Sequence, residues 1–307
     1  MRRSPVIRLS AFSGHLTHCI KHSLRLAASI TFSVGLVAHA EAIEISLQLT
    51  ESPSIKNKAQ GLTEPSGLSM GANGDLWTVS DDTAKLFRLN AGGAIIDSLD
   101  VTGAGFEGVA YDAKNSRLIA VKEESNELFI INPGNKQLIE RRKLSAVEGF
   151  SQAAPYFSQG GANKGLEGIA WNPVDGSFYV IKEGEPGVLI HLSSDLNRVI
   201  KTVKLSETGV SDDDTALDDI DYSGLTVIPE HNLLAIVSDK AARVFFYDLQ
   251  SGQVKGSAEL MRPAKAPGKF KAVRKAEGVA YDSKSGTLYV VSDKDAALYA
   301  YKLIMQE

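Results

Sequence analysis

Residues 276–302 read AEGVAYDSKSGTLYVVSDKDAALYAYK. An acid and a glycine open the stretch, and a short apolar segment follows. A turn leads to a second apolar segment ending at Asp293, and then to a third. The pattern occurs four more times. Residues 106–132 read FEGVAYDAKNSRLIAVKEESNELFIIN, and residues 166–192 read LEGIAWNPVDGSFYVIKEGEPGVLIHL. Residues 222–248 read YSGLTVIPEHNLLAIVSDKAARVFFYD, and residues 65–90 read PSGLSMGANGDLWTVSDDTAKLFRLN. The acid-or-serine positions fall at 66, 107, 167, 223 and 277, spaced by 41, 60, 56 and 54 residues. Repeats of this length, with three or four short strands each, are the signature of a propeller. The expected fold is therefore all-β, a five-bladed β-propeller.

Residues 43–49, IEISLQL, alternate apolar and polar and predict a half-buried strand with no local partner. The last repeat ends after its third strand. The economical arrangement places this N-terminal strand as the outer strand of the last blade, which closes the ring and hides two sheet edges.

The first 40 residues hold Arg2, Arg3, Arg8, Lys21 and Arg25, no acid, an apolar run at 26–37 and Ala38-His39-Ala40. This predicts a signal peptide at 1–40 followed by a single propeller domain at 41–307. The apolar run is shorter than the roughly 20 residues of a spanning helix. A membrane association follows only if the segment stays uncleaved, and the expected location is the periplasm. Formal charge is −4, and removing the five leader cations leaves 28 basic against 37 acidic residues, net −9. That excludes nucleic acid and anionic lipid as natural partners and suits cations. The only cysteine, Cys19, leaves with the leader, and so do four of six histidines; His191 and His231 remain. No Ser-His-acid triad is supported. Trp77 and Trp171 occupy strand positions and are expected in the core.

The first strand of a propeller blade is innermost. Five blades would therefore gather Ser66, Glu107, Glu167, Ser223 and Glu277 at one end of the axis. Asp81, Glu123, Glu183, Asp239 and Asp293, which end the second strands, would lie behind them. Indexing each hairpin about its turn sets Glu107 opposite Glu123, Glu167 opposite Glu183 and Glu277 opposite Asp293. Like charges facing across a hairpin are destabilising, so the arrangement needs a bound cation, raised carboxyl pKa values, or nearby Lys and Arg. Lys122, Lys182, Lys240 and Lys294 flank the second acids but are expected to point to the other face. The longest loops, 145–165, 207–221 and 261–275, reach the same rim. The second is acidic, with Asp212, Asp213, Asp214, Asp218, Asp219 and Asp221; the third is basic and reads as solvated decoration. Oxygen-only donors suit a hard divalent cation such as Ca²⁺, whereas zinc or copper would want imidazole or thiolate. The bland alternative is that each Glu accepts hydrogen bonds from neighbouring blades and each Gly relieves crowding at the axis.

The segments PSGL at 65–68, LEGIA at 166–170, DYSGL at 221–225 and AEGVA at 276–280, each followed by a strand ending in an acid, resemble the SdiA-regulated (YjiK/CarP) family of bacterial envelope proteins. The resemblance spans about residues 62–303. It implies a five-bladed propeller, an exported protein, a carboxylate calcium site and a link to calcium regulation. For the site it points to Glu107, Glu167 and Glu277. The expected function is calcium binding with a non-catalytic role in calcium homeostasis or signalling, with an envelope protein as partner. The alternative is a calcium-dependent hydrolase of phytase or lactonase type.

Overall fold

Short alternating segments punctuated by turn residues make strands. In a computed structural model, which describes residues 44–101, 105–158, 164–213, 215–217 and 220–306, the chain is nearly all strand. The expected signal peptide and the loop acids Asp214, Asp218 and Asp219 lie outside the described residues. The chain begins with β1 (Glu44–Glu51). Blade one is β2 (Pro65–Met70), β3 (Leu76–Ser80), β4 (Lys85–Leu89) and β5 (Ile95–Asp100). Blade two is β6 (Phe106–Asp112), β7 (Arg117–Lys122), β8 (Glu127–Asn132) and β9 (Gln137–Lys143). Blade three is β10 (Leu166–Trp171), β11 (Phe178–Lys182), β12 (Val188–Leu192) and β13 (Val199–Lys204). Blade four is β14 (Gly224–Ile228), β15 (Leu233–Ser238), β16 (Arg243–Asp248) and β17 (Val254–Glu259). A small hairpin, β18 (Met261–Pro263) and β19 (Phe270–Ala272), precedes blade five, which contains β20 (Ala276–Asp282), β21 (Thr287–Ser292) and β22 (Ala297–Gln306).

Each blade is a four-stranded antiparallel sheet, and β1 supplies the fourth strand of blade five, pairing with β22 from Glu44↔Gln306 to Leu49↔Tyr301. Ring closure by the N-terminal strand is thus as expected. The innermost strands β2, β6, β10, β14 and β20 pack on one another in a closed circle. Apolar residues fill five clusters, one between each pair of adjacent blades. Middle strands sandwiched this way are buried on both faces, so β15 (LLAIVS) is buried throughout instead of alternating.

The axis is built on five glycines. A methyl group added to Gly67 would lie 2.6 Å from Gly108 Cα, and one on Gly108 would lie 2.8 Å from Gly168 Cα. On Gly224 it would lie 2.4 Å from Glu277 O, and on Gly278 2.5 Å from Leu68 N. None of these glycines needs a left-handed backbone; each is required for space. The next layer (Leu68, Val109, Ile169, Leu225 and Val279) closes the axis, leaving no room for a water molecule there. The acids therefore rim a plugged axis and do not line an open channel.

The hairpin register differs from the sequence indexing by one residue. Gly108 pairs with Val121 and Phe106 with Lys122, so Glu107 is the extra residue of a β-bulge. The same irregularity sets Glu167 apart in blade three and Glu277 in blade five. Glu107 and Glu123 do not face each other, and the other two pairs do not either. A bulge re-aims the side chain it carries, and here it turns each glutamate from its own hairpin towards the preceding blade.

Replacing an axial glycine should be costly because the obstructing atoms are backbone. Gly67→Ala or Gly278→Ala is expected to destabilise by about 2 kcal/mol or more. Gly134→Ala, whose added methyl meets only the Asn132 side chain at 3.2 Å, should be close to neutral. Thermal unfolding of the three variants checks the contrast.

Candidate metal centre

The ends of the second strands are pinned to the rim by backbone hydrogen bonds. The N–H of Asp81 donates to Glu64 O at 3.1 Å, that of Glu183 to Gly165 O at 3.2 Å, and that of Asp293 to Lys275 O at 3.0 Å. The entry to the next blade then crosses these acids: Gly105 N–H donates to Asp81 O at 3.3 Å and Tyr222 N–H to Glu183 O at 3.2 Å. The acids consequently meet across blade boundaries. Glu107 of blade two meets Asp81 of blade one, and Glu277 of blade five meets Asp239 of blade four. Glu167 and Glu183 of blade three meet Glu123 of blade two, with one carboxylate oxygen from each lying within 4.8 Å of the others.

A simple rule decides which glutamate is satisfied. Where the preceding blade begins with serine, its hydroxyl donates to the glutamate. Ser66 Oγ donates to Glu107 Oε2 at 3.1 Å and to Glu107 O at 2.8 Å, and the Ser223 hydroxyl beside Glu277 pulls its pKa down. The blade before Glu167 begins with Glu107, which has no hydroxyl to give. Glu167 is 9% exposed, and no hydrogen bond or ion pair reaches its carboxyl group among the described residues.

Lysines neutralise the other half of the rim. Lys164 Nζ lies 2.8 Å from Glu183 Oε1 and 3.3 Å from Asp221 Oδ1, and Lys240 Nζ lies 3.1 Å from Asp221 Oδ2. Asp221, from the acidic loop expected at this rim, is clamped between these two lysines and supplies the carboxylate that blade four lacks at Ser223. Lys275, held in a left-handed backbone with φ 46, reaches Asp293 Oδ2 at 2.9 Å and Glu277 Oε1 at 3.6 Å.

These contacts correct two expectations about charge. The basic loop is not only decoration, since Lys275 belongs to the rim. Its Arg262 and Arg274 both pair with Asp295 of blade five and not with the acidic loop. Of the four flanking lysines, Lys240 engages the rim directly. Lys182 is fully buried and donates to the carbonyls of Gly184 and Pro186. Lys164 and Lys275 escaped the sequence reading because they precede the strand acids at different offsets, three residues in one blade and two in the other, so no repeat marks them.

Burial first, and neighbouring carboxylates second, hold protons on this rim. Burial and Asp81 raise Glu107 from the ordinary 4.5 to about 8. Burial and Asp239 raise Glu277 to about 7 against the opposing pull of Lys275. Burial raises Glu183 to about 7, with Lys164 opposing. Glu167 is pushed well above the carboxylate range by burial and then by Glu107, Glu183 and Glu123. Asp239 is raised by burial, and its Oδ1 is buried without a partner. The compensation problem posed by the sequence is thus met by lysines on one half and by protons on both.

His191 stacks on Tyr179 and contacts Ser177 at 2.9 Å, away from the rim. His231 lies in the β14–β15 turn. Trp77 is a core residue as expected, 4% exposed. Trp171 departs from that expectation: it is half-buried and lines a cavity at the opposite face. Among the described residues, no helix is long and apolar enough to cross a membrane.

A five-bladed propeller with a bulge-directed carboxylate rim defines the class of protein. The chain belongs to the SdiA-regulated family, whose pattern matches residues 55–301. Its fold is similar to that of Myxococcus xanthus glutaminyl cyclase, with a TM-score of 0.57 over 87% of this chain and 100% of that one, at 14% identity. At that identity the likeness speaks to the fold alone.

The raised carboxyl groups give a pH dependence with a definite sign. The folded protein keeps protons that the unfolded chain releases near pH 4.5. Without divalent cations, the contribution of these rim groups to stability should be greatest below that pH and should be lost as pH rises through about 7 to 8. Glu107→Gln keeps the Ser66 contact and offers an amide donor to Asp81, so it should flatten this decline. Melting temperature against pH in chelator, for both proteins, is the measurement, with roughly 2–4 °C expected per kcal/mol.

Proposed function

We propose that the protein binds a divalent cation, Ca²⁺, at the rim formed by Glu123, Glu167 and Glu183, and serves calcium homeostasis or signalling at the cell envelope without catalysing a reaction. One observation carries the reading. Glu167 is largely buried, no hydrogen bond or ion pair reaches its carboxyl group among the described residues, and it lies within 4.8 Å of two further carboxylates from two blades. Burying a carboxyl group with no partner is costly, and a cation shared by three carboxylates would offset that cost. The donors are all oxygen, which suits Ca²⁺. Asp81, Glu107, Asp239, Glu277 and Asp293 surround the cluster, and Ser66, Ser223 and Asp221 complete the rim. Binding would release the protons held there, so affinity should rise with pH.

The largest cavity described lies at the other face, away from the acids. This favours binding over turnover of a substrate at the rim. The leader-like first 40 residues support export to the periplasm, where a cation-loaded rim could meet an envelope partner.

Isothermal titration of the protein lacking residues 1–40 with Ca²⁺ tests the reading. Wild type should bind and gain thermal stability. Glu167→Gln should weaken binding by roughly tenfold or more, because it removes a charged ligand. Glu277→Gln, which sits beside Lys275, should weaken it less. Absence of both heat and thermal shift in wild type would sink the proposal. Ca²⁺-dependent cleavage of a phosphate ester or lactone, lost in Glu167→Gln, would make the protein a hydrolase instead.

A further inference from the structure

We propose that the face opposite the acidic rim holds a binding pocket for a small aromatic carboxylate. The first strands end at this face around a cavity of about 330 Å³, within the size range of small-molecule sites. Its wall repeats with the fold. Met70, Tyr111, Trp171, Val227 and Tyr281 each stand three residues after the axial glycine of their blade, and all five line the cavity. The glycine plug closes its floor, so the cavity is a blind funnel and is separate from the carboxylate rim. Three of the five wall positions are aromatic, which offers ring faces and edges to a flat ligand.

The funnel lining carries one acid and one base, Asp282 and Lys284. The carboxylates at this face keep their charge but are hydrogen-bonded within the protein, which leaves Lys284 as the group open to an anion. Asp282 accepts from Lys284 N–H at 3.1 Å and Ser285 Oγ at 2.7 Å. Glu230 accepts from the Tyr281 hydroxyl and from Ser283 Oγ at 3.3 Å. Lys284, which lines the funnel, is in no ion pair among the described residues. An aryl group in the aromatic well with its carboxylate at Lys284 satisfies both features. A neutral aromatic molecule satisfies only the first.

The probe is hydrocinnamate, with hydrocinnamyl alcohol as its neutral counterpart. The chain has two tryptophans, and Trp77 is in the core, so tryptophan emission reports on Trp171. Hydrocinnamate should change the emission saturably, and titration calorimetry should give the same affinity. The alcohol should bind more weakly, and Lys284→Met, an exposed change, should lower hydrocinnamate affinity, each by roughly tenfold. Trp171→Phe should abolish the emission change. No saturable binding, equal affinity for acid and alcohol, an unaffected Lys284→Met variant, or an emission change that survives in Trp171→Phe would each overturn the proposal.

Discussion

Five strands can start at a common axis only if the residue nearest that axis has no side chain. Gly67, Gly108, Gly168, Gly224 and Gly278 meet this condition; at Gly67, Gly108, Gly224 and Gly278 a neighbouring backbone atom lies closer than any Cβ would allow, and at Gly168 the Leu225 side chain does. Other features of the rim follow from that contact. It brings the residue before each glycine against the preceding blade, and the bulge at this residue turns its side chain there. The same plug separates the molecule into an acidic face and an aromatic face with no passage between them.

The electrostatics follow from the same geometry. Acids that the hairpin index would oppose within a blade instead meet across blade boundaries. The serine-or-glutamate choice in one blade then decides the state of the glutamate in the next. Serine before glutamate gives a hydrogen-bonded carboxyl group, as at Glu107 and Glu277. Glutamate before glutamate gives the unpartnered Glu167. The single place in the ring order Ser66, Glu107, Glu167, Ser223, Glu277 where two glutamates are consecutive is where the three-carboxylate cluster forms. Lys164 pairs with Glu183 of that cluster, and Lys240 and Lys275 pair with Asp221 and Asp293 elsewhere on the rim.

The family match and the glutaminyl cyclase likeness agree with this architecture, and the same scaffold accommodates different chemistries on its faces. The function is therefore argued from the rim and not from the fold. A buried carboxyl group with no donor is an incomplete hydrogen-bonding arrangement, and a shared cation is one way of completing it.

The sequence by itself determined the blade number, the ring closure by the N-terminal strand and the serines and strand acids that open onto the rim. These follow from local periodicity and from the recurrence of one unit, both of which a linear sequence records. It also contained the order of serines and glutamates, but without the geometry that gives that order meaning. Only the tertiary structure decided the one-residue shift at Glu107, Glu167 and Glu277, because a bulge changes backbone pairing without changing composition. Only the tertiary structure brought Lys164 and Lys275 to the acids, since their offsets differ from blade to blade. It also moved Trp171 from an expected core position to a funnel wall. Contacts between blades join residues far apart in sequence, 41 positions for Ser66 and Glu107 and 210 for Leu68 and Gly278, and whether two such residues touch depends on how neighbouring sheets pack, which no local pattern records.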